Sequence, residues 1–221
     1  MISNNHKFVF IHIPKCAGTS IENAIGSYCN SGGFGYNKQI CGHIQHANCE
    51  ELCQLNLLTE KQCNEYFKFA FVRNPWDRCV SEYVWRIKQF GNFLNGPVNV
   101  NNGVKHPKFT KEWVRKNVTF EDFLTKNFPW QELSFIQHMK PQTDYIYDNQ
   151  NKKIDFIGRF ENLENDFSYV CKKIFNQNIK LPHKFKTKRS PYVDYYNNDT
   201  IDMVGDMYLE DIKYFKYKFG E

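Results

Sequence analysis

The sequence predicts an α/β fold in which a central parallel sheet is flanked by helices in three layers. Two apolar stretches of strand length, residues 8–13 and 67–72, are each followed directly by a helical pattern. Strands that alternate with helices are typical of parallel sheets with crossover connections. The chain has 221 residues, which is the length of one α/β domain, so we predict a single domain over residues 1–221.

The first strand leads into a turn with the chemistry of an anion-binding loop. The turn consists of Pro14, Lys15, Cys16, Ala17, Gly18, Thr19 and Ser20. A helix is predicted over residues 19–27, and the unpaired N–H groups at a helix start attract phosphate. Lys15 adds a full positive charge, and Thr19 and Ser20 add hydroxyl donors. The loop therefore predicts a nucleotide phosphate as ligand.

The second strand is followed by another set of anion-binding side chains. Arg73 comes directly after residues 67–72, and a long helix is predicted over residues 76–90. Pro75 suits the first turn of this helix, where its missing N–H costs nothing. Ser81 lies two helical turns further on, and an Arg fork with a hydroxyl suits a second, separate phosphate. Ligands of open α/β sheets bind at the carboxyl ends of the strands, where both motifs lie.

The remaining elements follow from periodicity and turn residues. Further strands are predicted at 39–44, 144–147 and 154–158, and helices at 47–57, 59–65, 110–117, 119–126, 161–175 and 199–215. Residues 30–38 and 91–108 are rich in glycine, proline or asparagine and are predicted loops. We interpret residues 91–130 as an insertion of loop and helices on the acceptor side. Thr119, with Asp122 three residues on, is the expected cap of the helix at 119–126.

The two anion-binding motifs together resemble those of the sulfotransferases. Residues 13–20 resemble the loop that binds the 5′-phosphosulfate, and residues 73–81 resemble the motif that binds the 3′-phosphate. Residues 140–145, residues 156–163 and the tyrosine-rich C-terminal helix are similar to short members of the family. The resemblance covers nearly the whole chain. It is to carbohydrate sulfotransferases of the heparan sulfate 2-O-sulfotransferase type, in particular their short bacterial forms.

The resemblance implies a fold, a donor and an acceptor class. The expected fold is like that of the P-loop nucleoside triphosphatases. The expected donor is 3′-phosphoadenosine 5′-phosphosulfate (PAPS), with 3′-phosphoadenosine 5′-phosphate (PAP) as product, and the acceptor is a hydroxyl of a carbohydrate or glycoconjugate. Lys15 would contact the bridging oxygen and stabilise the leaving phosphate. Arg189 and Ser190 belong to a basic segment that would close over the nucleotide. No metal is expected, because Lys and Arg supply the positive charge.

Two histidines compete for the role of general base. His43 and His46 lie at the end of the predicted strand 39–44, and a histidine suits proton abstraction from a hydroxyl near neutral pH. Residues 46–52 resemble a family stretch whose histidine is the acceptor base, while Gly42-His43 resembles a Gly-His pair of the same family. We rank His46 first and keep His43 as the second candidate. His12 alternates with two isoleucines and is interpreted as a core histidine with its hydrogen bonds satisfied.

The residues alone are also compatible with two other functions. A P-loop nucleotide kinase would require Mg²⁺ and prefer ATP, but its motif GxxxxGK[ST] places the lysine directly before the hydroxyl residue, whereas Lys15 comes four residues before Thr19. A non-catalytic module would bind nucleotide or glycan without transfer. Intact Lys15, Arg73 and Ser81, with two candidate bases, argue against that reading.

Charge and hydropathy limit the partners and the location. The net charge of +5 is spread without a dense Lys/Arg block, so nucleic acid is not an expected partner. The sequence has no signal-peptide pattern and no apolar run near 20 residues, so we expect no transmembrane segment and a cytoplasmic enzyme. A shortened form of a longer protein is the alternative.

Overall fold

The structure is a computed structural model that describes residues 1–29, 36–37, 39–40, 42–93, 98–100, 104–106, 116–125, 133–147, 154–182 and 189–221. The chain divides into two compact units. The first comprises Met1–Asn74 and Lys140–Arg189, and the second comprises Pro75–Met139 and Ser190–Glu221. A single domain over residues 1–221 stays a prediction.

The secondary-structure elements are numbered in chain order. The strands are β1 (Ile2–Ser3), β2 (Phe8–Ile11), β3 (Tyr36–Asn37), β4 (Gly42–His43), β5 (Phe67–Val72), β6 (Val98–Val100), β7 (Val104–His106) and β8 (Phe156–Arg159). The α-helices are α1 (Gly18–Ile25), α2 (Cys49–Gln54), α3 (Glu60–Glu65), α4 (Pro75–Phe93), α5 (Phe120–Leu124), α6 (Leu133–Met139), α7 (Thr143–Ile146), α8 (Leu163–Phe175), α9 (Asn198–Met207) and α10 (Leu209–Phe215). Short 3₁₀ helices cover Gly26–Tyr28, Ile44–His46, Phe160–Asn162 and Tyr192–Tyr195.

The first unit is built on a four-stranded sheet in the order β1-β2-β5-β8. Strands β2, β5 and β8 are parallel neighbours, and β1 pairs with β2 in the antiparallel sense. Every residue of β2 is buried, as is every residue of β5 after the first. Apart from Lys68 both strands are apolar, and strands that are buried and apolar along their length are typical of parallel sheets covered on both faces. The predicted α/β fold, with a central parallel sheet flanked by helices, is confirmed.

Two strand predictions in the first unit need correction. The strand expected at 39–44 is reduced to β4, which pairs with β3 in a separate antiparallel pair instead of joining the central sheet. The strand expected at 144–147 is wrong, because Thr143–Ile146 forms the helix α7. Tyr145 and Ile146 favour strands by propensity, but four residues are too few for periodicity to separate a strand from a helical turn. Most of the predicted loop 30–38 lies outside the described residues.

Helix α2 begins where a capping box fixes its first turn. The Asn48 side chain accepts from the Glu51 N–H, and the Glu51 carboxylate accepts from the Asn48 N–H. Each interaction satisfies an N–H group that the helix itself cannot pair. The box sets the start of α2 directly after the 3₁₀ turn that carries the candidate base His46.

In the second unit, α4 is longer than predicted and runs from Pro75 to Phe93. The expected cap of α5 is confirmed, since Thr119 and Asp122 form a capping box. The helix expected at 199–215 is instead two helices, α9 and α10, that meet at the buried Tyr208. Within the predicted loop 91–108, β6 and β7 pair in the antiparallel sense. Most of the helix predicted at 110–117 lies outside the described residues.

None of the helices in the described part of the chain combines the length and the apolar character needed to cross a membrane.

Candidate active site

The loop after β2 has a backbone suited to an anion. Lys15 and Ala17 have φ values of 66° and 67°, in the left-handed region, which costs a residue with a side chain roughly 1–2 kcal/mol. Such strain is typical of ligand sites. Ala17 occupies the N-cap position of α1 and has no side-chain oxygen to accept from the first-turn N–H groups. An anion is the natural partner for these N–H groups.

Arg73 brings the second motif to this loop. It follows β5 directly, and β5 is the parallel neighbour of β2, so both motifs leave the same edge of the sheet. The Arg73 Nη1 atom donates to the main-chain oxygen of Lys15 at 3.0 Å. The guanidinium carbon lies 3.8 Å from the centre of the Phe160 ring, which is a cation–π contact. Arg73 is thereby fixed beside the loop, with 6% of its surface exposed.

The main chain of Arg73 is held by the side chain of Gln142. The Gln142 oxygen accepts from the Arg73 N–H at 2.8 Å, and the Gln142 amide nitrogen donates to the Arg73 carbonyl at 2.9 Å. The same Gln142 oxygen accepts from the Cys16 thiol at 3.3 Å. Gln142 is fully buried, so it links the end of β5 to the anion-binding loop within the core of the first unit.

The ring of His46 is anchored to the end of β2. Its Nδ1 atom lies 2.8 Å from the main-chain oxygen of His12. A carbonyl oxygen only accepts, so Nδ1 carries the proton and Nε2 is the acceptor nitrogen of the neutral ring. The ring contacts the His12 ring edge to face, with 4.5 Å between centroids. His43, the second candidate, lies in β4 and is half-buried.

His12 is a buried histidine with satisfied hydrogen bonds, as predicted. Its Nδ1 atom lies 2.8 Å from Glu22 Oε1, and 4% of its surface is exposed. The other Glu22 oxygen accepts from the Gln45 amide at 3.1 Å. Glu22 therefore joins the strand end, α1 and the 3₁₀ turn that carries His46.

The other predicted site residues are distributed over both units. In the first unit Pro14, Cys16 and Gly18 are buried, Lys15, Ala17, Ser20 and Arg189 are half-buried, and Thr19 is exposed. Ser81, half-buried on α4, and Ser190, which is exposed, belong to the second unit. Among the residues that the structure describes, no three His, Cys, Asp or Glu side chains are grouped so that they could hold a metal ion.

Comparison with known proteins identifies the family. A family model described as "Sulfotransferase family" matches residues 1–218. The chain belongs to the sulfotransferase family. The family predicted from the two anion-binding motifs is thus confirmed, and the observed parallel sheet agrees with its P-loop-like fold.

This sulfotransferase is similar to several individual proteins. It is 30% identical over 119 residues to an uncharacterized protein of Archaeoglobus fulgidus, covering 54% of this chain and 76% of that one. It is 26% identical over 205 residues to carbohydrate sulfotransferase 11 of Rattus norvegicus, covering 86% of this chain and 57% of the relative. It is 24% identical over 191 residues to carbohydrate sulfotransferase 10 of Homo sapiens, covering 78% and 51%. The match thus spans a little over half of the length of these two enzymes.

Sequence reasoning assigned no role to several residues that shape this sulfotransferase's site. Gln142 stood in a segment that resembles the family, but nothing in the local pattern showed that it pairs with Arg73, 69 residues away. The sequence pattern assigns no role to Phe160 or Glu22 either. A buried polar side chain needs a hydrogen-bond partner, but the local sequence does not show that Gln142 or Glu22 is enclosed in the folded chain.

Proposed function

We propose that this sulfotransferase transfers a sulfuryl group from PAPS to a hydroxyl of a carbohydrate, with His46 as the general base. The observation that carries the proposal is the hydrogen bond from the Arg73 guanidinium to the Lys15 carbonyl, which holds the second motif against the backbone of the loop that carries Lys15. The names of the two carbohydrate sulfotransferases support the acceptor class.

The residues of the first unit fit a donor with two separate phosphate groups. The loop of residues 14–20 offers the N–H groups at the start of α1, the Lys15 ammonium, and the hydroxyls of Thr19 and Ser20 for the 5′-phosphosulfate. The Arg73 guanidinium offers a planar fork for the 3′-phosphate. Arg189, Ser81 and Ser190 stay predictions for the same nucleotide.

Lys15 and His46 have separate roles in the proposed reaction. When bound, the donor supplies a sulfuryl group that is activated by its phosphate leaving group. Lys15 stabilises the negative charge that develops on the bridging oxygen as the sulfur–oxygen bond breaks. His46, neutral and protonated at Nδ1, takes the proton of the acceptor hydroxyl at Nε2. Since Lys15 and Arg73 supply the positive charge, we propose no metal for this reaction.

Binding of the donor is tested by calorimetric titration with PAP, and with ATP plus Mg²⁺, of wild type, Arg73→Lys and Arg73→Ala. We expect metal-free binding of PAP that weakens in Arg73→Lys, because a lysine loses the planar fork, and weakens more in Arg73→Ala. Lys61→Ala is the control, since it removes one charge from a side chain that is 80% exposed. Preference for ATP with Mg²⁺, or equal PAP affinity in all four proteins, would overturn the donor assignment.

Transfer is tested with PAPS carrying labelled sulfate and a panel of uncharged, uronate-containing and sulfated glycans. We expect His46→Ala to lower kcat by roughly 100-fold or more while PAP affinity is kept, since general bases contribute about that much. His43→Ala should retain turnover. If His43→Ala loses turnover and His46→Ala does not, the base is His43. The absence of transfer to every glycan would contradict the proposed acceptor class.

A further inference from the structure

We propose that the imidazole of His12, held by Glu22, is a positioning residue that keeps the base His46 at the phosphosulfate loop. The inference rests on the proposed function of His46. It concerns a side chain that nothing in the motif pattern links to the reaction. The evidence lies in what surrounds the His12 ring.

One side of the His12 ring lies directly on the start of α1. A Cβ added to Gly18 would overlap the ring atoms Cδ2, Nε2 and Cε1. The backbone of Gly18 is in an ordinary conformation, since Gly220 is the glycine with positive φ in the described part of the chain. Position 18 therefore requires glycine because the His12 ring occupies the space that a side chain would need.

The same ring also contacts the core and the base. Phe10 stacks on it at 5.8 Å between centroids with 17° between the planes, and His46 meets it at 4.5 Å and 74°. Phe10, in β2, and His12, directly after β2, lie two residues apart, and alternate residues of an extended chain share a face. The His12 ring thus contacts both the start of α1 at Gly18 and the ring of His46.

Glu22 fixes the orientation of the His12 ring. Its carboxylate, with 9% of the side chain exposed, accepts from His12 Nδ1 at 2.8 Å and from the Gln45 amide at 3.1 Å. Glu22 lies one turn after Gly18 on α1, and Gln45 directly precedes His46. The Glu22 carboxylate therefore fixes both the His12 ring and the residue next to the base.

The position of His46 depends on this arrangement. The His12 carbonyl fixes one atom of the His46 ring, Nδ1, and a hydrogen bond at one atom does not by itself define the tilt of a ring. The edge-to-face contact with His12 restricts that tilt. A displacement of a catalytic group by about 1 Å can cost about 100-fold in rate, so losing the His12 ring should reduce turnover without removing the donor site.

The test compares His12→Asn and Glu22→Gln with His6→Asn as the matched control. Asn keeps an N–H donor near Glu22 but removes the ring. His6 lies in the same unit, is exposed, and contacts Tyr28 and Phe175 through its ring. Four quantities are measured: kcat, the Kd for PAP, the Tm, and the tautomer of His46 by nitrogen-15 NMR of the imidazole.

We expect His12→Asn to lower kcat by roughly 10- to 100-fold with less than a threefold change in the Kd for PAP. Wild-type His46 should be the Nδ1–H tautomer, and the variant should show both tautomers. Glu22→Gln should show the same pattern with a smaller loss, and it provides the test should His12→Asn fail to fold. His6→Asn should match wild type in kcat.

Wild-type kcat in His12→Asn with a single His46 tautomer would overturn the inference. So would a parallel loss of kcat, PAP affinity and Tm in both variants, because that pattern indicates a merely structural role. His46→Ala separates this failure from a failure of the proposed function. If His46→Ala keeps wild-type turnover, the base assignment fails; if it loses turnover while His12→Asn does not, only the positioning role fails.

Discussion

The guanidinium of Arg73 donates a hydrogen bond to the main-chain carbonyl of Lys15, with 3.0 Å between the nitrogen and the oxygen. Lys15 is itself in the left-handed conformation, so the direction of its carbonyl depends on the strained geometry of the loop. The two anion-binding motifs are therefore coupled through the backbone of one residue. A substitution that breaks this hydrogen bond at one motif should therefore also shift the backbone or side chain at the other motif.

Replacement of Lys15 by alanine should reduce turnover more than nucleotide binding. The lysine is proposed to stabilise charge that develops only as the sulfur–oxygen bond breaks, so its loss should lower kcat by roughly 100-fold, as for other donors of this kind. The Kd for PAP should change by much less. Initial rates with saturating PAPS and calorimetry with PAP measure both quantities, with Lys61→Ala as the control. A loss of affinity with unchanged kcat would contradict the role of Lys15.

Replacement of Gln142 by alanine should destabilise the protein and weaken PAP binding together. The change removes the partners of the Arg73 N–H and carbonyl, which are paired with Gln142 at 2.8 and 2.9 Å. Each buried polar group left unpaired costs about 1–3 kcal/mol. Urea unfolding and PAP titration measure the two effects, and Gln177→Ala, an exposed glutamine, is the control. Equal unfolding midpoints in the two variants would contradict a stabilising role of the two hydrogen bonds between Gln142 and the Arg73 main chain.

Replacement of Ala17 by glycine should stabilise the protein slightly. Ala17 has a φ of 67°, and relief of that conformation is worth roughly 1–2 kcal/mol, from which the greater chain entropy of glycine subtracts about 0.5–1 kcal/mol. Ala24→Gly, in the last turn of α1, lacks this strain and should destabilise by about 0.5–1 kcal/mol. Thermal unfolding of the two variants should therefore shift in opposite directions. Shifts of the same sign would argue against a strained loop.

Replacement of Gly18 by alanine should lower the free energy of unfolding in wild type, and should lower it much less in a His12→Ala background. The added methyl group overlaps the His12 ring, and such overpacking costs roughly 1–3 kcal/mol. Removing the ring opens the space, so the two free-energy changes should be non-additive by about 1 kcal/mol or more. Unfolding free energies of the two single variants and the double variant measure this coupling. Additive values would show that Gly18 is required for another reason.

Local sequence patterns predicted the elements that hold the site. Strands β2 and β5 are buried on both faces, so each is an apolar run, interrupted in β5 only by Lys68. The side chains that follow each run mark the ligand edge of the sheet. The cap formed by Thr119 and Asp122 is also a local pattern, because both partners lie within one helical turn. These features need no knowledge of distant residues.

The contacts within the site could not be predicted in this way. Gln142 pairs with Arg73 across 69 residues, and Glu22 reaches Gln45 across 23; no spacing rule links such partners. Similarly, α7 was predicted to be a strand because Tyr145 and Ile146 have high strand propensity, which the tertiary structure overrides. The sequence therefore predicts where the ligand edge lies but not how its side chains are fixed.

Rising pH should destabilise the protein through Cys79. Burial raises the pKa of this thiol from 9.0 to about 12, although the neighbouring charge of Arg78 lowers it. Above about pH 9 the unfolded chain loses the thiol proton while the folded chain keeps it. The free energy of unfolding therefore falls, by up to about 1.4 kcal/mol per pH unit from this group.

Burial also raises the pKa of Tyr208, so a smaller decline should persist in Cys79→Ala. Urea unfolding of both proteins at several pH values from about 8 to 11 measures the two slopes. Equal slopes would contradict the expected contribution of Cys79.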